Sequence, residues 1–123
     1  MSERCPFCEP DEVLFENDLS LAIYDRYPVS PGHILVLPKR HFGDIFEAEP
    51  DELCALAEMT RRVKEFVYGE YEPDGYNIGI NRGRTAGQTI PHLHIHFIPR
   101  YTGDRRDPTG GIRGVIPRKR KYP

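Results

Sequence analysis

Three of the chain's five histidines, His92, His94 and His96, stand at alternate positions, separated by Leu93 and Ile95 and followed by Phe97 and Ile98. Alternate residues of an extended strand share a face, so this spacing predicts a strand over 92–98 with the imidazoles in a row and Leu93, Ile95 and Phe97 facing the other way. At roughly 3.3 Å per residue the row spans about 13 Å, enough for the three rings to do different jobs. Such a row has three readings: metal ligands, nucleophilic or acid–base machinery at a phosphate, or an exposed row without chemistry. The preceding Gly87, Gln88 and Thr89 offer backbone N–H groups and polar side chains of a kind that suits phosphate oxygens.

A second group with chemical potential opens the chain. Cys5-Pro6-Phe7-Cys8 is half of a zinc site and needs two more ligands, for which His41 and His92 are available. A redox pair and two unpaired thiols are the competing readings. The redox reading expects a helix after a strand, whereas Glu9-Pro10-Asp11 follows here. The third cysteine, Cys54, reads as an inert helix residue, and an odd count argues against a disulfide framework.

The elements that must position these residues follow in order. Residues 12–16 and 19–25 read as two strands of a hairpin joined at Asn17-Asp18. Pro28, Pro31 and Gly32 break the chain before an apolar run over 33–37 that suits a buried strand. Residues 44–48 offer one helical turn. The convincing helix runs over 50–68, with Pro50 at its first position and Asp51 and Glu52 in its first turn. Leu53, Leu56, Ala57, Thr60, Val63 and Val67 are expected on its core face. A strand over 76–81 and a glycine-containing loop over 82–88 return the chain to the histidines. One helix and about five strands predict an α+β fold with an antiparallel sheet.

The 123 residues suit one domain, with mean hydropathy -0.58 and no apolar run of membrane-spanning length. No secretory signal is visible, and the expected location is the cytoplasm. The net charge of -2 favours no polyanion, so nucleic acid is not an expected partner. Residues 100–121 nevertheless hold eight of the 17 basic residues, a basic strip expected to dock on an otherwise acidic body.

Gly87-Gln88-Thr89 followed by His92-Leu93-His94-Ile95-His96-Phe97-Ile98 resembles the signature of the histidine triad family of nucleotide hydrolases and transferases. Asp25, Pro31-Gly32-His33-Ile34-Leu35-Val36, Pro38-Lys39-Arg40-His41, the helix and Asn81 extend the likeness, which covers residues 5–100 and leaves 101–123 as a basic tail. The resemblance implies that His94 is the nucleophile toward the α-phosphorus of a purine nucleotide or dinucleotide, through a nucleotidyl-histidine intermediate. It implies that His96 contacts phosphate near the leaving group and that His33 supports catalysis. Gly87, Gln88, Thr89 and Asn81 would hold the phosphate region, Asp25 the ribose hydroxyls, and Ile23 and Leu35 would flank the base. It further implies structural zinc on Cys5, Cys8, His41 and His92, and a homodimer joined through the helix and the strand near Tyr76. Gln88-Thr89 and the start of the tail lean toward the fragile histidine triad-like branch, which cleaves dinucleoside polyphosphates. Phosphoramidate hydrolysis, phosphorolysis and a purely regulatory nucleotide-binding role remain open alternatives.

Overall fold

The computed structural model describes residues 5–122. Five strands, β1 (Phe15–Glu16), β2 (Ser20–Tyr24), β3 (Ile34–Pro38), β4 (Gly75–Ile80) and β5 (Ile95–Arg100), form one antiparallel sheet in the order β1-β2-β3-β5-β4. Helix α1 (Pro50–Glu70) lies across one face. The expected α+β architecture is therefore present, and β5 is an interior strand between β3 and β4.

Alternation along the strands sorts the side chains to two faces. Ala22, Ile34, Val36, Leu93, Ile95 and Phe97 meet Leu56, Met59, Val63 and Val67 of α1 in the main core. On the opposite face Leu21, Ile23, Leu35 and Leu37 form a second cluster with Phe7. β3 is consequently buried along its whole length, which is why its sequence reads as an unbroken apolar run.

Three expectations need correction. The hairpin's first strand is Phe15–Glu16 alone, paired with Ala22 and Leu21, with Leu14 N–H adding one further bond to the Ala22 carbonyl. The histidine strand begins at Ile95, not at His92. Leu93 N–H bonds the carbonyl of Phe42 and the His92 ring bonds that of Pro38, so this segment is held by the turn after β3 instead of the ladder. On α1 the buried line is Glu52, Leu56, Met59, Val63 and Val67, whereas Leu53 and Ala57 are exposed. The helix is rotated so that Glu52 can reach Arg40. Its carboxylate accepts Arg40 Nε and Nη2 at 3.0 and 2.8 Å and the backbone N–H of Glu49 at 2.8 Å, closing a capping box.

The turn expected over 44–48 is a 3₁₀ turn, Ile45–Glu47, capped by Asp44. The tail also has structure: two further 3₁₀ turns, Gly111–Val115 and Pro117–Lys119, fold back against β4. Its carboxylates pair within the same stretch, Asp104 with Arg100 and Asp107 with Lys121 and Arg120, and among the described residues no ion pair ties the tail to the acidic body. No helix among the described residues is long and apolar enough to cross a membrane.

Candidate active site and metal cluster

His92 and His94 lie where the chain enters the sheet, and their ring hydrogen bonds fix what each can do. A carbonyl oxygen only accepts, so the 2.8 Å contact from His92 Nε2 to the Pro38 carbonyl means that Nε2 carries the proton. The free lone pair is then on Nδ1. Around that atom lie Cys5 Sγ at 3.4 Å, Cys8 Sγ at 3.6 Å and His41 Nδ1 at 3.2 Å, with Cys8 Sγ to His41 Nδ1 at 3.3 Å. The four ligand atoms all lie within 4.8 Å of one another.

Metal–sulfur bonds of about 2.3 Å and metal–nitrogen bonds of about 2.0–2.1 Å put the edges of a tetrahedron at roughly 3.3–3.8 Å. The observed separations match that figure, so the donor set fits a closed four-coordinate ion. The Pro38 carbonyl plays the outer partner that a ligating histidine commonly has. Burial also lowers the His92 pKa, which keeps the ring in the neutral form that a metal needs.

His94 shows the reverse tautomer. Its Nδ1 donates to the carbonyl of His92 at 2.9 Å, leaving Nε2 with the lone pair. The ring is 8% exposed and sits between two others, Phe7 at 4.9 Å and His96 at 5.1 Å between centroids. A neutral, oriented imidazole with an unengaged nitrogen is the form in which histidine acts as a nucleophile.

His33, His96 and Asp25 make a third group. The backbone N–H of Val29 donates to His33 Nδ1 at 3.1 Å, so His33 Nε2 carries the proton and donates to His96 Nδ1 at 3.0 Å. His96 is thereby left with its proton on Nε2. Asp25 Oδ2 lies 3.4 Å from His33 Nε2 and 3.9 Å from His96 Nδ1, while Oδ1 accepts the N–H of Tyr27 at 2.8 Å. Burial, followed by the neighbouring His94 and His33, pushes the His96 pKa down to about 4. Burial lowers that of His33 as well, against the opposing pull of Asp25. Both rings are neutral near pH 7. The same tautomers disfavour a second metal on this trio, since His33 would have to give up its only ring proton.

The sequence-predicted residues fall into three sets. Asp25, His33, His94 and His96 come together, and Asn81 lines one cleft with His33 and His96. Ile23 and Leu35 are cross-strand partners, and Leu35 is paired in turn with His96, which pairs with Gly79. Both are packed beneath Phe7. Gln88 is turned into its own loop, where Oε1 accepts Gly83 N–H and Arg82 Nη1 and Nε2 donates to the Gly43 carbonyl. It braces the 82–88 loop, while Gly87 takes the left-handed conformation with φ 95° and Thr89 is exposed.

Sequence reasoning missed Phe7, which touches His94 from inside the Cys5–Cys8 loop. Its position between two candidate ligands was the available signal. It also missed the Val29 N–H and the His92 and Pro38 carbonyls that set the tautomers, because main-chain groups leave no trace in residue identity.

The HIT domain profile matches residues 8–103, most of the chain. The chain belongs to the HIT family. An uncharacterized HIT-like protein of Methanocaldococcus jannaschii is 42% identical over 106 residues, covering 81% of each chain. The asymmetrical bis(5'-nucleosyl)-tetraphosphatase of Schizosaccharomyces pombe is 38% identical over 93 residues, covering 76% of this chain. This HIT chain spans about half of that enzyme, 51% of its length. The crystal structure of a zinc-bound histidine triad family protein from Mycobacterium smegmatis superposes with a TM-score of 0.73 at 36% identity, covering 85% of this chain and 83% of that one.

Proposed function

We propose that this HIT chain is a nucleotide hydrolase or transferase that attacks the α-phosphate of a purine nucleotide, with a dinucleoside polyphosphate as the favoured substrate. The observation that carries it is the hydrogen bond from His94 Nδ1 to the His92 carbonyl, which places the single proton of the neutral ring on Nδ1 and orients Nε2 as its lone-pair nitrogen. The Nε2 lone pair forms a bond to the α-phosphorus as the bond from phosphorus to the leaving oxygen breaks, and the leaving group departs with that electron pair. His96, holding its proton on Nε2, donates a hydrogen bond to a phosphate oxygen near the departing atom. Water then adds to phosphorus, the nitrogen–phosphorus bond breaks and His94 is regenerated. Inorganic phosphate in place of water would make the reaction a phosphorolysis.

The remaining roles follow the same reading. Asp25 takes ribose hydroxyls, Asn81, Gly87 and Thr89 frame the phosphate, Gln88 serves that frame by bracing the 82–88 loop from within, and Ile23 and Leu35 border the base beside Phe7. Zinc is held by Cys5, Cys8, His41 and His92. With four protein ligands it has no open position, so it supplies folding stability and takes no part in bond making. The chain acts as a homodimer. Tyr76 and Ile78 of the edge strand β4 are 45% and 38% exposed, and Leu53 of α1 is 43% exposed.

The test is to incubate the protein with dinucleoside polyphosphates and adenosine phosphoramidate, with and without inorganic phosphate, and to trap the covalent species by rapid quench with α-labelled substrate. Label on wild-type protein but not on His94→Asn is the expected result. Turnover without a trappable adduct, or with His94→Asn fully active, would overturn it.

A further inference from the structure

We propose that the cleft between His96 and the C-terminal tail is a subsite for the base of the departing nucleoside, and that Ile112 of the tail is its specificity-determining residue. This deepens the proposed reaction and rests on that reading. An in-line displacement places the leaving group on the far side of phosphorus from His94 Nε2. Phe7 walls His94 on one side, so the departing half has to extend past His96. The cleft there has a volume of ≈ 240 Å³ and is lined by His33, His96, Asn77, Asn81, Val29 and Ile112 among others.

Its lining selects for a flat neutral group. No Lys, Arg, Asp or Glu is among the lining residues, so a terminal phosphate or sulfate would meet no counter-charge. Val29 and Ile112 instead present aliphatic surface, at 72% and 59% exposure. Two amides offer hydrogen bonds to a heterocycle's edge, and Asn77 is oriented by Arg100 Nη1, which donates to its Oδ1 at 2.7 Å and leaves its NH₂ as donor. Every nucleobase combines apolar faces with a polar edge. The volume lies below the ~300 Å³ at which whole small-molecule pockets begin, which suits one ring system rather than a complete nucleotide.

Ile112 comes from outside the HIT match, which ends at residue 103. The tail is built to hold it. Arg113 donates to the carbonyls of Lys119 and Arg120, Arg120 donates to that of Thr109, and Lys121 pairs with Asp107 at 2.6 Å. Gly110, at φ +90°, sits against the Arg120 carbonyl where a side chain would collide. The closed unit rests on β4, with the Ile112 δ-carbon over Gly79, 3.8 Å from where a Cβ would stand.

The test measures binding, so it does not depend on turnover. Titration calorimetry with diadenosine triphosphate and with AMP is carried out on His94→Asn protein, alone and combined with Ile112→Ala or Ile112→Leu. Ile112→Ala should weaken diadenosine triphosphate about tenfold and AMP less than about twofold, with Ile112→Leu restoring most of the difference. Equal weakening of both ligands, no weakening of either, or diadenosine triphosphate binding no tighter than AMP would each overturn the subsite. Absence of cleavage by wild-type protein would instead overturn the proposed reaction and leave this ratio measurable.

Discussion

Phe7 packs its ring edge against His94, 4.9 Å between centroids at 65°, from within the loop that carries Cys5 and Cys8. A residue of the metal loop therefore touches the residue with the free nitrogen. The two candidate sites share a wall, and a change in one is expected to be felt in the other.

Replacing Cys5 by Ser should release the metal and loosen that wall. Zinc measured on protein purified without chelator is expected near one equivalent per chain, and well under half for Cys5→Ser. Loss of about 2 kcal/mol or more would lower Tm by roughly 8 °C. Wild-type protein with reduced cysteines and under half an equivalent of zinc would contradict the assignment.

Phe7→Ala separates the wall from the metal. Zinc content should stay at the wild-type level, while kcat falls about tenfold or more because the His94 ring loses its edge contact. Buried Phe-to-Ala changes cost about 3–5 kcal/mol when complete, and Phe7 at 9% exposure should fall somewhat below that range. Unchanged kcat with lowered Tm would reduce Phe7 to a packing role.

The fold was legible where local chemistry and tertiary need agree. Pro50 opens α1, and the apolar run of β3 is buried on both faces. The apolar alternation of Leu93, Ile95 and Phe97 predicted a shared face turned away from the histidine row, and that face is the one buried against α1. Leu53 and Ala57 misled because helical spacing allows two neighbouring apolar stripes, and only the Glu52–Arg40 bond says which one turns inward. The start of β5 was hidden for a similar reason: the competing partners are carbonyls of the 38–42 turn, and sequence does not mark them. In the site, the histidines were visible as types, whereas their division of labour is set by backbone acceptors and donors.

Glu52→Gln should test that inward-turning bond. The carboxylate is 5% exposed, and hydrogen bonds from Arg40 hold its pKa below the usual range. Arg40 is half exposed and can rehydrate, so a loss of about 1.5–3 kcal/mol is expected. The contribution is present at neutral pH and disappears as pH falls through the folded pKa. Chemical denaturation at neutral and acidic pH would show the variant's deficit shrinking with acidification.

Acid should also destabilise the site through His96. The unfolded imidazole takes its proton near 6.5 and the folded one near about 4, so the unfolded chain binds more protons between those values. Stability is complete above the window and declines as pH drops through it. His96→Gln, which can still accept from His33, should flatten the dependence of Tm on pH between about 4 and 6.5. An unchanged slope would show that other groups set it.

The edge strand β4, with Tyr76 and Ile78 exposed, should be covered in solution. Sedimentation is expected to give a dimer at micromolar concentration, and Ile78→Glu a folded monomer, because a carboxylate there would be buried unpaired. A wild-type monomer at every accessible concentration would remove this surface from consideration.

His92 serves its two neighbours through different parts of itself: the ring faces Cys5, Cys8 and His41, and the carbonyl receives the proton-bearing nitrogen of His94. One peptide unit is thus both anchor and compass. Whatever fixes the ring of His92 also fixes the direction of its carbonyl dipole, and with it the choice of which nitrogen of the next histidine faces the cleft. An ion held by Cys5, Cys8, His41 and His92 would therefore also hold still the oxygen against which the His94 ring is set.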